Sequence, residues 1–206
     1  FDRFLTEDDF NADGSLKAGL PDQTKVFPAG YQFAPGDVLY KDLDNNGEIV
    51  KQTNTNDKGD LSVIGNALPR LQFGLNLDAA WKGFDISMFF QGVAKRKLWA
   101  AGNQVLPGFT TGEPFYKGAE DYWTPENTDA FYPRPMDYKQ SASGNYSVND
   151  RYLLNMAYLR LKTFTVGYSL PKVWLSKFKV QGLRVYFTGE NLFTIDGVKP
   201  AIDPEI

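Results

Sequence analysis

The sequence has 206 residues and a net charge of −3, enough chain for one large domain or two small ones and without the basic stripe of a nucleic-acid binder. It contains no cysteine and no histidine. That excludes a disulfide framework, a thiolate metal centre, a cysteine nucleophile, the usual zinc ligand and general base, and any Ser-His-Asp triad.

The chain opens at Phe1 with no methionine and no signal-like segment, so it reads as a piece of a longer protein. No run of 18 apolar residues is present, so no transmembrane helix is expected. Residues 1 to 36 carry the turn signals NADGS, AGLPD, PAG and APGD, which predict loops with one or two short strands. The segment GDVLYKDLDNNGEIV follows. Within it Asp42, Asp44 and Asn46 fall at alternate positions, followed by Gly47, Glu48 and Ile49. This is the front half of a calcium loop: oxygen side chains converge on a hard cation, Gly47 permits the sharp turn and Glu48 offers its backbone carbonyl. Ile49 is expected to pack inward. The twelfth position, where a bidentate glutamate closes such a loop, is Thr53; Asp57 or Asp60 folding back would complete the shell. The competing reading is a plain connecting turn on Asn46-Gly47. The metal reading expects a structural Ca2+ on Asp42, Asp44, Asn46 and Glu48, held more weakly than in a complete EF-hand.

The clearest strands come next. In LQFGLNLDAAW, Leu71, Phe73, Leu75, Leu77, Ala79 and Trp81 share one face, and polar or small residues share the other. Lys82-Gly83 is a two-residue turn, and FDISMFFQ puts Phe84, Ile86, Met88 and Phe90 on one face; together they predict a hairpin. Residues 92 to 150 read as long aromatic- and Pro-rich loops, of a length that is usually functional. There the segment Tyr122-Trp123-Thr124-Pro125-Glu126-Asn127, with Tyr116, Tyr132 and Arg134, is a candidate for contact with a sugar or peptide, against the plainer reading that these residues fix the loop. In YLRLKTFTVGYSLP the apolar phase slips between Leu161 and Phe164, as a β-bulge would cause. KVWLSKF predicts an irregular or one-turn helical connection, and GLRVYFTGENLFTI predicts a last strand.

Two-faced strands suit either a sandwich, with the apolar face as core, or an outer-membrane barrel, with that face toward lipid. A barrel strand needs about 9–11 residues, and Phe73 to Trp81 fits. In a barrel Arg160, Lys162, Arg184 and Glu190 would face the lumen, because a cation on the lipid face costs about 2–4 kcal/mol near the midplane; they would tune passage or pair across strands. The loop carboxylates form no strand-anchored pair, and no motif with a mechanism is present, so the chain is not read as an enzyme.

Read in order, PGDVLYKDLDNNGEI, IGNALPRLQFGLNLDAAWKGFDISMFFQG, DYWTPENTDAFYPRP, YLRLKTFTVGYSLPK, LRVYFTGENLFTI and DPEI resemble the C-terminal barrel region of SusC/RagA-type TonB-dependent outer-membrane transporters of Bacteroidetes. The resemblance implies an all-β chain whose antiparallel strands, 1 to 206, are part of a 22-stranded transmembrane barrel with long extracellular loops and short periplasmic turns, lacking the plug and the terminal strands. It implies location in the outer membrane with lipid around it, and uptake of a glycan or peptide substrate. Its implied partners are a SusD-like surface lipoprotein acting as a lid, which Tyr116, Trp123, Tyr132 and Arg134 would also meet, and TonB-ExbB-ExbD. No nucleic-acid partner is implied. The alternative is a soluble, extracellular, calcium-stabilised β-sandwich that binds carbohydrate.

Overall fold

Alternation of period two becomes a ladder wherever two such segments can be joined by a tight turn. A computed structural model, which describes residues 1–51, 54, 56–109, 115–136, 144–198 and 202–205, bears this out first at the hairpin. The strands among the described residues are β1 (Arg3–Phe4), β2 (Val38–Leu39), β3 (Gln72–Trp81), β4 (Phe84–Val93), β5 (Lys97–Leu98), β6 (Leu154–Asn155), β7 (Tyr158–Ser169) and β8 (Arg184–Asp196), with a one-turn helix α1 (Lys172–Leu175) between the last two. The chain divides into two units, residues 1–65 with 99–154, and 66–98 with 155–206.

The second unit holds one antiparallel sheet in the order β3-β4-β7-β8. Lys82 and Gly83 both have positive φ (48° and 90°), the pair a type I′ turn requires. The Lys82 ammonium lies 4.6 Å over the Trp81 ring. The phase slip in β7 is a bulge: Leu161 faces Phe90 and Thr163 faces Phe89, so Lys162 is an extra residue against β4. Against β8, Leu161 faces Phe193 and Thr163 faces Glu190, so there Asn191 and Leu192 oppose Lys162 and β8 carries the extra residue. The bulge returns Phe164 to the face of Leu161. Apolar rows therefore run straight across the sheet, Leu75–Phe90–Leu161–Phe193 and Ala79–Ile86–Val166–Phe187. Much of that face is open, with Leu75 at 49% and Phe187 at 63% exposure. On the opposite face Arg184 lies flat over Gly167, where a Cβ would come within 2.6 Å of the guanidinium, and forms a two-point ion pair with Asp85.

This geometry corrects the expected fold. The described residues form three separate, open sheets of two, four and two strands, not a closed 22-stranded transmembrane β-barrel. Closure requires the first and last strands to pair, whereas β3 and β8 each pair on one side only among the described residues. The assignments that rested on closure fall with it: barrel wall of a nutrient importer, membrane protein, and residence of this chain in outer-membrane lipid. An open edge in hydrocarbon leaves N–H and C=O groups without partners. Among the described residues no helix is long and apolar enough to cross a membrane.

The first unit is loop-rich, and side chains supply the hydrogen bonds that strands do not. β1 and β2 pair over two residues. Beyond them, Gln23 behaves as a substitute strand: its amide donates to the Val38 carbonyl (2.9 Å) and accepts from the Tyr40 N–H (3.0 Å). Asn145 accepts from the Val38 N–H (2.7 Å) and donates to Asp37 (3.0 Å). Asp37, fully buried, is held by the Arg134 guanidinium at 2.8 Å and 3.2 Å, a charge-assisted fork that makes its burial tolerable. Two apolar clusters flank this polar knot, one of Phe4, Val38, Trp123 and Ala130, the other of Val26, Phe27 and Ile49. The remaining sheet is the short pair β5-β6.

Candidate cation loop and aromatic cleft

Residues 42–60 fold through their own carboxylates. Asp42 accepts the N–H groups of Asn45 (2.7 Å) and Gly47 (2.8 Å), and Asn45 and Gly47 both take positive φ (60° and 87°). The Gly47 N–H is the main influence that holds the Asp42 carboxyl below its usual range. Asp44 accepts from Asn46 N–H (3.1 Å), and Asn46 in turn accepts from Glu48 N–H (2.8 Å). Asp60 returns to this curl, accepting the N–H groups of Leu43 (2.7 Å) and Val50 (2.8 Å). Carboxylate oxygens of Asp42, Asp44 and Asp60 consequently lie within 4.8 Å of one another.

Three half-buried to exposed carboxylates gathered this closely repel one another, and all-oxygen donors are the set a hard cation prefers. Asp42, Asp44 and Asp60 can therefore hold a metal ion. Of the four residues expected from the sequence, Asp42 and Asp44 are in this trio. Asn46 spends its side chain on Asp44 (3.0 Å) and the Glu48 N–H, and the Glu48 carboxylate forms an ion pair with Lys25. Asp57 stays in its own turn, accepting from Gly59 N–H at 2.9 Å, and Thr53 lies outside the described residues. Ile49 packs inward as expected, 3% exposed, against Val26 and Phe27.

The loop candidates separate into two groups. Trp123 is buried and packs over Gly36, whose φ of +90° and missing Cβ make room for the indole; a Cβ there would lie 2.5 Å from the ring. Its Nε1 has no hydrogen-bond partner among the described residues. Arg134 is committed to Asp37. Tyr116 and Tyr132, by contrast, line a cleft of about 470 Å³ together with Phe115, Tyr122 and Tyr146. Tyr132 forms its floor and donates to the Val105 carbonyl at 2.8 Å; burial pushes its phenol up to about 12. Tyr116 and Tyr122 stand exposed at the rim, and Lys117 and Glu120 add one charge of each sign. Backbone bonds from Trp123 N–H to Tyr132 (3.0 Å) and from Tyr132 N–H to Asp121 (2.9 Å) tie rim to floor. Tyr122 belongs to the segment expected from the sequence; Tyr146 was not expected there. Only the approach of Tyr146 to Tyr132 across the fold identifies it.

No family model matches the chain. Three characterised relatives are similar to it. TonB-dependent receptor P3 of Formosa agariphila is 33% identical over 177 residues, covering 83% of this chain and 16% of the receptor. TonB-dependent receptor P26 of the same organism is 34% identical over 166 residues, 79% of this chain and 16% of the receptor. TonB-dependent receptor SusC of Bacteroides thetaiotaomicron is 25% identical over 210 residues, 97% of this chain and 20% of the receptor. Among solved structures, the RagAB peptide importer in its closed-closed state shares the fold with a TM-score of 0.53 and 22% identity, over 79% of this chain and 17% of that one. The RagAB peptide transporter gives 0.51 and 24%, over 69% and 15%. The chain thus spans about one-sixth of the length of the first two relatives. These relatives are named as TonB-dependent receptors, and the solved structures as a peptide importer and transporter. It is a distant, partial homologue of TonB-dependent receptors of the SusC/RagA kind.

Proposed function

We propose that the chain is a calcium-stiffened, β-rich extracellular module that binds carbohydrate. The observation that supports this most is the return of Asp60 to Asp42 and Asp44, which gathers three carboxylates on one loop. Asp42, Asp44 and Asp60 would hold the ion, with the Glu48 carbonyl and Asn46 as further oxygen donors once the loop tightens. The ion supplies charge neutralisation and rigidity, not reaction chemistry. The cleft beside Tyr116, Tyr122 and Tyr132 is the proposed sugar site. Flat aromatic faces match the C–H faces of a pyranose ring, and the Tyr116 and Tyr122 hydroxyls, with Lys117 and Glu120, offer donors and acceptors to its hydroxyl groups. Partners are proposed on the same footing: a SusD-like surface lipoprotein against the Tyr116–Tyr122 rim, and TonB-ExbB-ExbD for the longer protein of which such a region is a part.

Calorimetric titration tests both halves. Ca2+ is expected to bind in a 1:1 ratio, and Asp60→Asn to abolish the signal. Neutral oligosaccharides are expected to bind with an affinity that Tyr116→Ala lowers about fivefold, the loss of one stacking contact of about 1 kcal/mol. A titration indifferent to Asp60→Asn removes the cation reading, and binding of peptides in preference to sugars removes the carbohydrate reading.

A further inference from the structure

The most buried cation of the second unit is Arg160, at 8% exposure, and it is fully engaged. Its Nε donates to the Thr194 hydroxyl (2.7 Å), while its two terminal nitrogens donate to Glu205 (2.8 Å) and Asp203 (2.8 Å). Lys162, the residue of β7 that bulges against β4, brings its ammonium to the same Glu205 carboxylate at 2.8 Å. The Tyr158 hydroxyl donates to that carboxylate at 3.1 Å, and Arg96 donates to the Pro204 carbonyl at 3.4 Å. Asp203 also accepts the Glu205 N–H at 2.9 Å, a local turn that aims both carboxylates to one side.

The two halves of this contact differ in kind. Arg160, Lys162, Tyr158 and Thr194 stand on paired strands, so their positions are fixed by the ladder. Asp203-Pro204-Glu205 lies outside the described strands; among the described residues it is held by these side-chain contacts, the Arg96 bond to the Pro204 carbonyl and the burial of Pro204. A planar guanidinium with two free ends, backed by an ammonium and a phenol, reads a pair of carboxylates by shape as well as charge. A rigid socket and a separable acidic segment are the geometry of a docked peptide motif.

We propose that the Arg160–Lys162 end of β7 is a binding site for acidic peptide segments with two carboxylates two residues apart, and that Asp203-Pro204-Glu205 occupies it in cis as an exchangeable strap. Displacement of the strap opens the socket to an equivalent motif in trans. The test uses the full chain, a double variant Asp203→Asn/Glu205→Gln that empties the socket with little change of shape, and a fluorescent peptide Ile-Asp-Pro-Glu-Ile as probe. The cis segment competes at a high effective concentration, so the peptide is expected to bind the double variant at least about tenfold more tightly than the unaltered chain. Arg160→Gln or the less buried Lys162→Gln, added to the double variant, is expected to abolish or sharply weaken that binding, and the peptide Ile-Asn-Pro-Gln-Ile is expected not to bind. Equal binding to the unaltered chain and the double variant overturns the proposal. So does no binding to a folded double variant, or binding unaffected by Lys162→Gln.

Discussion

Gly36 shows how much of the first unit turns on one missing methyl. Its φ of +90° is a conformation L side chains rarely adopt, and the space a Cβ would enter is filled by the Trp123 ring at 2.5 Å and Arg134 Cβ at 2.8 Å. Neither neighbour can yield cheaply, since Trp123 is part of the Phe4–Val38 cluster and Arg134 is pinned to Asp37. Gly36→Ala is expected to cost about 2–4 kcal/mol, combining backbone strain with overpacking. Gly30→Ala has a similar φ of +76° with open space around it, and should cost only about 1 kcal/mol. Urea unfolding of the two variants side by side separates clash from strain. Equal losses would show that the Trp123 contact contributes nothing. The same residues explain why the sequence left Trp123 and Arg134 open between a contact role and a loop-fixing one. An aromatic or a cation in a Pro-rich loop looks alike in sequence whether it points outward or closes over a glycine 87 positions earlier in the chain, as Trp123 does over Gly36.

At the scale of the element, the sheet was readable because its signals are local. Alternation over residues 71–81, Lys-Gly at the turn, and the slip between Leu161 and Phe164 each need only a few neighbouring residues, and hairpin and bulge appear where they point. Closure was not readable. Whether β3 and β8 find further partners depends on chain remote from either strand, and the alternation of an open sheet is the same as that of a closed one. What covers an apolar face is likewise absent from the period of a strand. The consequence for stability is measurable. Leu75 is half exposed while Leu161, in the same cross-strand row, is 5% exposed. Leu75→Thr is expected to change unfolding free energy by no more than about 0.5 kcal/mol, and Leu161→Ala to cost about 2–4 kcal/mol. Chemical denaturation of both decides the point, and a large loss at Leu75 would mean that its face is covered in solution.

For the whole molecule, the cation loop is where local and remote information meet. DLDNNGEI announced its own curl, because groups two to five residues apart make those contacts; the inward Ile49 followed from the loop pattern, although the Val26 and Phe27 it packs on lie far back in the chain. The third carboxylate, Asp60, is 18 residues past Asp42 and was one of two sequence candidates; its two backbone contacts, Leu43 and Val50, decide between them. That placement lets one ion act on a defined part of the chain. Asp60 already clips Leu43 to Val50, and both line a cleft of about 260 Å³ with Tyr40, Ile49 and Leu61. An ion drawing Asp42 and Asp44 toward Asp60 would hold the two ends of the 42–60 segment together and oppose its local opening. At free Ca2+ a hundredfold above Kd, linkage makes the bound form about 2.7 kcal/mol harder to open, which slows exchange of amides that open with the site by about a hundredfold. Hydrogen exchange followed by mass spectrometry should therefore show calcium-dependent protection at Leu43, Gly47 and Val50. Amides of β3 and β4, in the other unit, should be unchanged. Asp60→Asn should erase the difference. Protection spread evenly over both units would mean that calcium acts through general charge screening instead of this loop.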